Sequence, residues 1–187
     1  MTVAEAIAKR KSIRSYLDTQ VRAEDLSRII EAGQWAPNAG PFNMSVVRNA
    51  DMLHRINDLT SKAMLASGND FLIERASLPG YQPVYGAPVL IILSGPTDAP
   101  YTALNVAVSA QNMLLQATEL GLGSCFLRSP AFALNAPENE TLAREAGIPE
   151  GSEMHCAVVV GYTADENKFR RGERVPRGTI QYVNETE

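Results

Sequence analysis

The chain has 187 residues, 45% of them hydrophobic, with 17 Lys and Arg against 21 Asp and Glu and a formal net charge of −4. That length and balance fit one globular domain, residues 1–187, with a substantial core, and leave no surplus of positive charge for a long phosphate backbone, so nucleic-acid binding is not expected. No apolar run approaches the roughly 20 residues that a bilayer span needs, and no apolar core marks a leader, so the expected location is the cytoplasm and no membrane partner is expected.

Thr2 and Glu5 form a T-x-x-E capping box, and Val3, Ala6 and Ile7 supply an apolar face. A first helix is therefore predicted to end near "AIAKRKSIRSY", where Lys9, Arg10, Lys11 and Arg14 crowd into one short span. A second helix is predicted over residues 23–35, with Leu26, Ile29, Ile30 and Gly33 on one face and Pro37 as its stop. The Gly- and Pro-bearing loop "APNAGPFN" leads into a short strand, "MSVVRN". Residues 51–66 carry Leu53, Ile56, Leu59 and Met64 at helical spacing. Residues 69–86 mix Gly, Pro and aromatics with no clear period, and read as irregular structure or a short helix.

"APVLIILSG", residues 87–95, is a continuous apolar run bounded by turn residues, the pattern of a buried central strand. Residues 101–120 read as a helix that is apolar almost all round and ended by Gly121. A helix of that kind needs cover on several sides, which points to a subunit interface. A short strand at "SCFL", a surface helix over 138–146 and a second buried strand at "MHCAVVVGY" follow. "TIQYV", residues 179–183, alternates like an edge strand but is cut off from the body by the polar "ADENKFRRGERVPRG", so its pairing is expected to be distant.

Cys125 and Cys156 are far apart and lack the paired spacing of a zinc or redox site, and His54 and His155 are far from each other, so no zinc site is expected, no Cys–His pairing suggests itself, no metal is implied and no catalytic side chain is assigned. "GLGSCF" begins like a dinucleotide-binding glycine motif, but Phe126 occupies the place of its third glycine and the segment leaves a helix to enter a strand. What remains is a set of anion-binding features. Arg10, Lys11, Ser12 and Arg14 combine ionic donors with a hydroxyl, the mixture a terminal phosphate requires, and Lys168, Arg170 and Arg171 form a second basic group. Either group also fits an ordinary solvated surface, and "APNAGPFN" also fits a plain connection. The residues alone leave those readings open.

In order and spacing these segments resemble the FMN-dependent nitroreductase family over nearly the whole chain. "AIAKRKSIRSY" is similar to its R-x-S-x-R element, "EAGQWAPNAGPFN" to its A-P-S-x-x-N-x-Q loop, and "GLGSCFL" and "GIPEGSEMHCAVVVGYTADENKFR" to its later segments. The resemblance implies an α+β fold: a central, mostly antiparallel sheet flanked by helices. It also implies a homodimer that exchanges its C-terminal strand and holds two FMN sites in the interface, each built from both subunits. By the same resemblance, Arg10, Lys11, Ser12 and Arg14 hold the FMN phosphate and nearby ribityl oxygens, with Lys168 and Arg170 closing from the far end of the chain. Pro37, Asn38, Ala39 and Asn43 then lie beside the flavin, and Phe126, Leu127 and Arg128 run against the isoalloxazine ring.

Asn38 stands where the family has serine, Pro41 where it has asparagine, Asn43 where it has glutamine, and Met44-Ser45 where Pro-Trp is common. Residues 69–85 are the only candidate for a pocket lid, the region where specificity usually lives. The implied activity is ping-pong hydride transfer from NADH or NADPH through flavin N5 to a nitroaromatic, quinone or similar electron-poor small molecule, the cofactor carrying the hard chemistry. Arg128, where it faces the pocket, would stabilise an anionic reduced flavin or a negatively charged substrate. Two alternatives stay open: other flavin chemistry on the same fold, such as flavin fragmentation, dehalogenation or azoline oxidation, and a non-enzymatic anion-binding or interaction protein.

Overall fold

The two continuous apolar runs become the central strands of an antiparallel sheet. A computed structural model describes residues 1–164 and 177–183. Among them, β1 (Asn43–Val47), β2 (Val89–Pro96), β3 (Gly123–Leu127) and β4 (Ser152–Gly161) lie in the order β1-β2-β4-β3, every neighbouring pair antiparallel. Helices cover both faces, which is why β2 and β4 are apolar without alternation. Leu90, Ile92, Ala157 and Val159 enter a core shared with α3 (Ala50–Leu65), α6 (Ala131–Leu134) and α7 (Glu140–Glu145). Val89, Ile91, Leu93, Cys156, Val158 and Val160 enter one shared with α2 (Ala23–Gln34) and α5 (Thr102–Glu119). The architecture is the α+β, helix-flanked antiparallel sheet that the sequence leads one to expect.

Local signals explain several boundaries. Glu5 N donates to Thr2 Oγ1 at 3.2 Å and Thr2 N to Glu5 Oε2 at 2.8 Å, closing the capping box of α1 (Val3–Lys9), which packs on α5. α2 meets α5 at Gly33, where an added Cβ would collide with Met113 Cε and lie 2.9 Å from Ser109 Oγ, so a side chain there would push the helices apart.

The short-helix alternative holds for residues 69–86, and two other elements differ from the sequence reading. Residues 69–86 contain α4 (Asp70–Ala76), started by Asn69, whose Oδ1 accepts from Leu72 N at 3.2 Å. It buries no residue, so it has no apolar stripe to betray it. α6 is only four residues long and was not foreseen. Residues 179–183 form no strand in the single chain: Ile180, Tyr182 and Val183 are 80%, 71% and 72% exposed, and the exchange of this segment is not seen. Lys168, Arg170 and Arg171 lie outside the described residues. Among the described residues, no helix is long and apolar enough to cross a membrane, and no group of three or more His, Cys, Asp or Glu is placed to hold a metal ion.

Candidate functional site

The segment after α1 is fastened to the free edge of β3. Ile13 N donates to Ser124 O at 2.9 Å, Ser12 pairs in parallel with Ser124, and Tyr16 Oη donates to Ile13 O at 2.8 Å. Ile13 is buried, while Arg10, Lys11 and Ser12 are half-buried and Arg14 is exposed. This docking gathers cations around the Cys125 thiol. Burial pushes that thiol up, while the Ser12 hydroxyl and the charges of Arg14, Arg10 and Arg75 pull against it. Burial prevails, so Cys125 stays a neutral thiol with three guanidinium groups in electrostatic range. Cys156 is pushed up by burial to about 12. Neither cysteine is an activated nucleophile. Beside the cluster, Ser124 Oγ is buried with no hydrogen-bond partner.

Further along β3, Phe126 is 43% exposed and Leu127 is buried. Because Ser124 turns its carbonyl outward to Ile13, the strand period of two turns the Phe126 main chain toward the same open edge. Arg128 does not point freely into a pocket: its Nη1 donates to His155 O at 2.6 Å. The register of β2 on β4 shifts between Leu93 and Ser94, leaving His155 as the extra residue of a bulge and its carbonyl available to Arg128.

The "APNAGPFN" loop lies elsewhere. Ala39 N donates to Asn105 Oδ1 of α5 at 3.0 Å, and Asn38 Nδ2 to Ala36 O at 3.2 Å. Pro37, Asn38 and Ala39 are exposed. Asn43 Nδ2 donates to Ser45 Oγ at 2.8 Å and Gly147 O at 3.1 Å, so its donors are spent within the chain. The Pro41 carbonyl abuts Gly95, near the end of β2, whereas Ser12 is level with Ser124, Val160 and hence Val89. The six steps along the strand from Val89 to Gly95 span about 20 Å at the usual strand rise. One chain thus brings Arg10, Lys11, Ser12 and Arg14 to the strand carrying Phe126 and Leu127, and holds Pro37, Asn38 and Ala39 at the other end of the sheet.

The structure adds a group that the sequence reading missed. Arg75, near the end of α4, donates from Nε to Tyr81 Oη at 3.2 Å and from Nη2 to Tyr85 Oη at 2.9 Å. Its Cζ lies 5.2 Å from the Tyr81 ring centroid, and Arg14 Cζ lies 5.9 Å from that of Tyr85. Tyr85 has φ 56°, a left-handed conformation uncommon outside glycine and visible only in the folded chain.

Helices on both faces of an antiparallel sheet, with a basic segment docked at one edge, define the class: an α+β protein with a basic corner. Residues 7–162 match the model of the nitroreductase family. A protein of Archaeoglobus fulgidus, provisionally named an NADH dehydrogenase/NAD(P)H nitroreductase, is 30% identical over 169 residues, 87% of this chain and 86% of that protein. A nitroreductase with bound FMN from Bacteroides fragilis is 31% identical, with a TM-score of 0.87 over 98% of this chain and 99% of that one. An iodotyrosine deiodinase bound to FMN and 3-iodo-L-tyrosine shares the fold at a TM-score of 0.72 and 20% identity, over 99% of this chain and 100% of that one. The chain belongs to the nitroreductase family.

Proposed function

We propose that this protein is an FMN-dependent oxidoreductase that works as a homodimer, taking electrons from NADH or NADPH and delivering them to a nitroaromatic, quinone or similar electron-poor acceptor. The observation that carries the reading is the convergence of Arg10, Ser12 and Arg14 beside β3. A flavin phosphate fits there: it offers two negative charges to guanidinium donors gathered around a neutral thiol, beside the Ser12 hydroxyl. Asn43 does not fit a cofactor-donor role, its amide hydrogens being committed to Ser45 and Gly147.

Bound FMN supplies the two-electron transfer, in one half-reaction with a nicotinamide and a second with the acceptor. The chain's part is binding and orientation. Arg10, Lys11, Ser12 and Arg14 anchor the phosphate end, with Lys168 and Arg170 as further candidates, and the exposed Phe126 and its outward main chain meet the ring. Arg128, tied to His155, braces the strand end. Neutral, buried thiols and the absence of a paired acid and base among the described site residues leave the electron transfer to the cofactor.

The separation of the two loops supports a site shared between subunits, since a flavin held by Ser12 of one chain meets an Asn38 loop from the other. The surface supports it too. Leu104 and Val108 of α5 are exposed, as are Val3, Ile7 and Trp35 in the α1–α2–α5 layer, apolar side chains that a second copy would cover. In residues 179–183, Ile180, Tyr182 and Val183 have no cover in one chain, as a segment that pairs with a partner would.

An anaerobic titration tests the reading. NADH or NADPH alone should bleach the protein's flavin absorbance, and a nitroaromatic or quinone added afterwards should restore it with no nicotinamide present. A protein that purifies colourless and takes up no FMN would refute the proposal. A flavin that dithionite reduces and neither nicotinamide does would refute the donor half alone.

A further inference from the structure

A cavity of about 420 Å³, within the range of small-molecule sites, is walled by residues 18–20, the first half of α3 and residues 82–88. None of the residues assigned to the flavin lines it. Arg48, one of its lining residues, directly follows β1, whereas Ser12 docks on β3 at the opposite edge of the sheet. Three strand spacings, about 14 Å, separate those two edges.

Two ionised side chains line the cavity, Arg48 and Asp18, and the fold does not pair them. Arg48 Nε donates to Gln20 Oε1 at 3.2 Å and its Nη2 to Val21 O at 3.2 Å, both neutral acceptors. Among the described residues neither Arg48 nor Asp18 has an ion-pair partner, although Asp18 lies only two positions before Gln20. Charge-assisted bonds are the stronger kind, so a ligand that carries both charges can complete what the chain leaves unjoined. The two bonds to Gln20 and Val21 fix the guanidinium plane and leave the Nη1 hydrogens and the second Nη2 hydrogen for a carboxylate.

The rest of the lining narrows the ligand. Leu53, Val84, Ala87 and Pro88 are buried apolar residues, a surface for an aliphatic chain. No Phe, Tyr or Trp lines the cavity, so a flat ring has nothing to stack on, and one guanidinium without a lysine is too little charge for a phosphate dianion. The wall is set before a ligand arrives. Asn57 Oδ1 accepts from Val84 N at 3.4 Å, Tyr85 N donates to Gln82 O at 2.9 Å and Ala87 N to Val84 O at 3.1 Å, which fastens the turn to α3.

We propose that this cavity binds a small aliphatic α-amino acid as its zwitterion, with the carboxylate on Arg48, the ammonium on Asp18 and the side chain against Leu53, Val84, Ala87 and Pro88. The site is separate from the cofactor and does not rest on the flavin reading.

The test is a calorimetric titration of the protein as purified with L-leucine, with isocaproate, which lacks the ammonium, and with isoamylamine, which lacks the carboxylate. Leucine should bind at least about tenfold tighter than either, since each analogue loses one charge-assisted bond. Arg48→Gln should bring leucine down to the level of isoamylamine, and Asp18→Asn to that of isocaproate. No saturable binding of leucine, equal affinity for the three compounds, or a preference that survives both substitutions would overturn the site. Should Arg48→Gln not fold without its bonds to Gln20 and Val21, the wild-type series and Asp18→Asn decide, the Asp18 side chain being exposed and unpaired. Bound FMN should be equal in the wild type and both variants. Flavin lost together with leucine binding would overturn a separate site, because the cavity would then serve the cofactor. A protein that purifies colourless would defeat the flavin reading and leave these titrations to decide the amino-acid site alone.

Discussion

Gly123 lies under the segment that carries the proposed phosphate donors, and a side chain there should disturb the cofactor before it disturbs the fold. An added Cβ would sit 3.0 Å from Ile13 Cγ2, 3.2 Å from Ile13 Cβ and 3.2 Å from Tyr16 Cε1. Alanine needs Ile13 to yield by a few tenths of an ångström. Valine adds two more methyl groups where Ile13 and Tyr16 already stand, and overpacking of that order costs about 1–3 kcal/mol. The cheapest relief is to lift the segment, because β3 is held by its ladder to β4 while Ile13 is held to β3 by a single main-chain bond, Ile13 N to Ser124 O. Ser12 and Arg14 flank Ile13 and move with it. Losing one charge-assisted bond worth about 1.5–3 kcal/mol should weaken FMN roughly ten- to hundredfold. Fluorescence titration of the apoprotein measures that loss and urea unfolding measures the stability cost. Gly123→Val should lose FMN affinity sharply and Gly123→Ala only slightly. A Gly123→Val protein destabilised by the expected amount that binds FMN like the wild type would show that the docked segment does not hold the phosphate.

Arg14→Ala should weaken FMN far more than riboflavin, which lacks the phosphate, and equal losses in paired titrations would show that Arg14 does not read it. Removing residues 179–187 should loosen the dimer and the flavin together in light scattering and absorbance, whereas a stable monomer that keeps its FMN is incompatible with a shared site. Stability should also fall in alkali. Cys156 is raised by burial from 9.0 to about 12 in the folded protein. The stability linked to it is whole below pH about 9, where thiols are protonated in both states, and is lost toward pH about 12 as the unfolded chain ionises first. Cys156→Ala should flatten that limb of a denaturation-midpoint profile, and an unchanged slope would mean that the thiol is not the titrating group.

The elements that could be read from sequence are those whose cause is short-range. The capping box of α1 is four consecutive residues, and the continuous apolar runs of β2 and β4 require only that both faces be covered. The elements that escaped, or stayed open between two readings, have no local cause. α4 buries nothing and so carries no period, and α6 is shorter than any window that would detect it. For the site, residue chemistry pointed to Arg10, Ser12 and Arg14, but not to their arrangement, because the parallel pairing of Ser12 with Ser124 joins residues more than a hundred positions apart. Arg75 had no signal at all. Its role depends on two phenols brought under it by a turn in which Tyr85 and Gly86 are both left-handed, at φ 56° and 63°, and only the folded chain specifies that turn. The family resemblance placed Asn43 among the cofactor contacts, yet the replacement of glutamine by the shorter asparagine leaves an amide that reaches only its own strand and Gly147.

In the proposed homodimer, α5 would join the assembly to the site. Leu104 and Val108 lie one turn apart on its exposed side, and Asn105, next to Leu104 but buried, holds the Ala39 amide through Oδ1 at 3.0 Å. Cover for Leu104 and Val108 by a second copy therefore presses on the same turn of helix that positions the Asn38 loop. The loop cannot reach Ser12 of its own chain, about 20 Å away along the strands. In the proposed homodimer, a partner docked on α5 would give it somewhere to go, and the exposed apolar residues and the loop would then have one physical cause. In the proposed homodimer, covering what is still exposed of the two side chains, 65% of Leu104 and 38% of Val108, would contribute roughly 1–2 and about 1 kcal/mol, in each of two symmetry-related places, and the flavin would gain its second set of contacts only with that burial. Cofactor affinity should for that reason depend on protein concentration near the dimer dissociation constant, and the dimer should tighten as FMN is added, by the same factor in both directions.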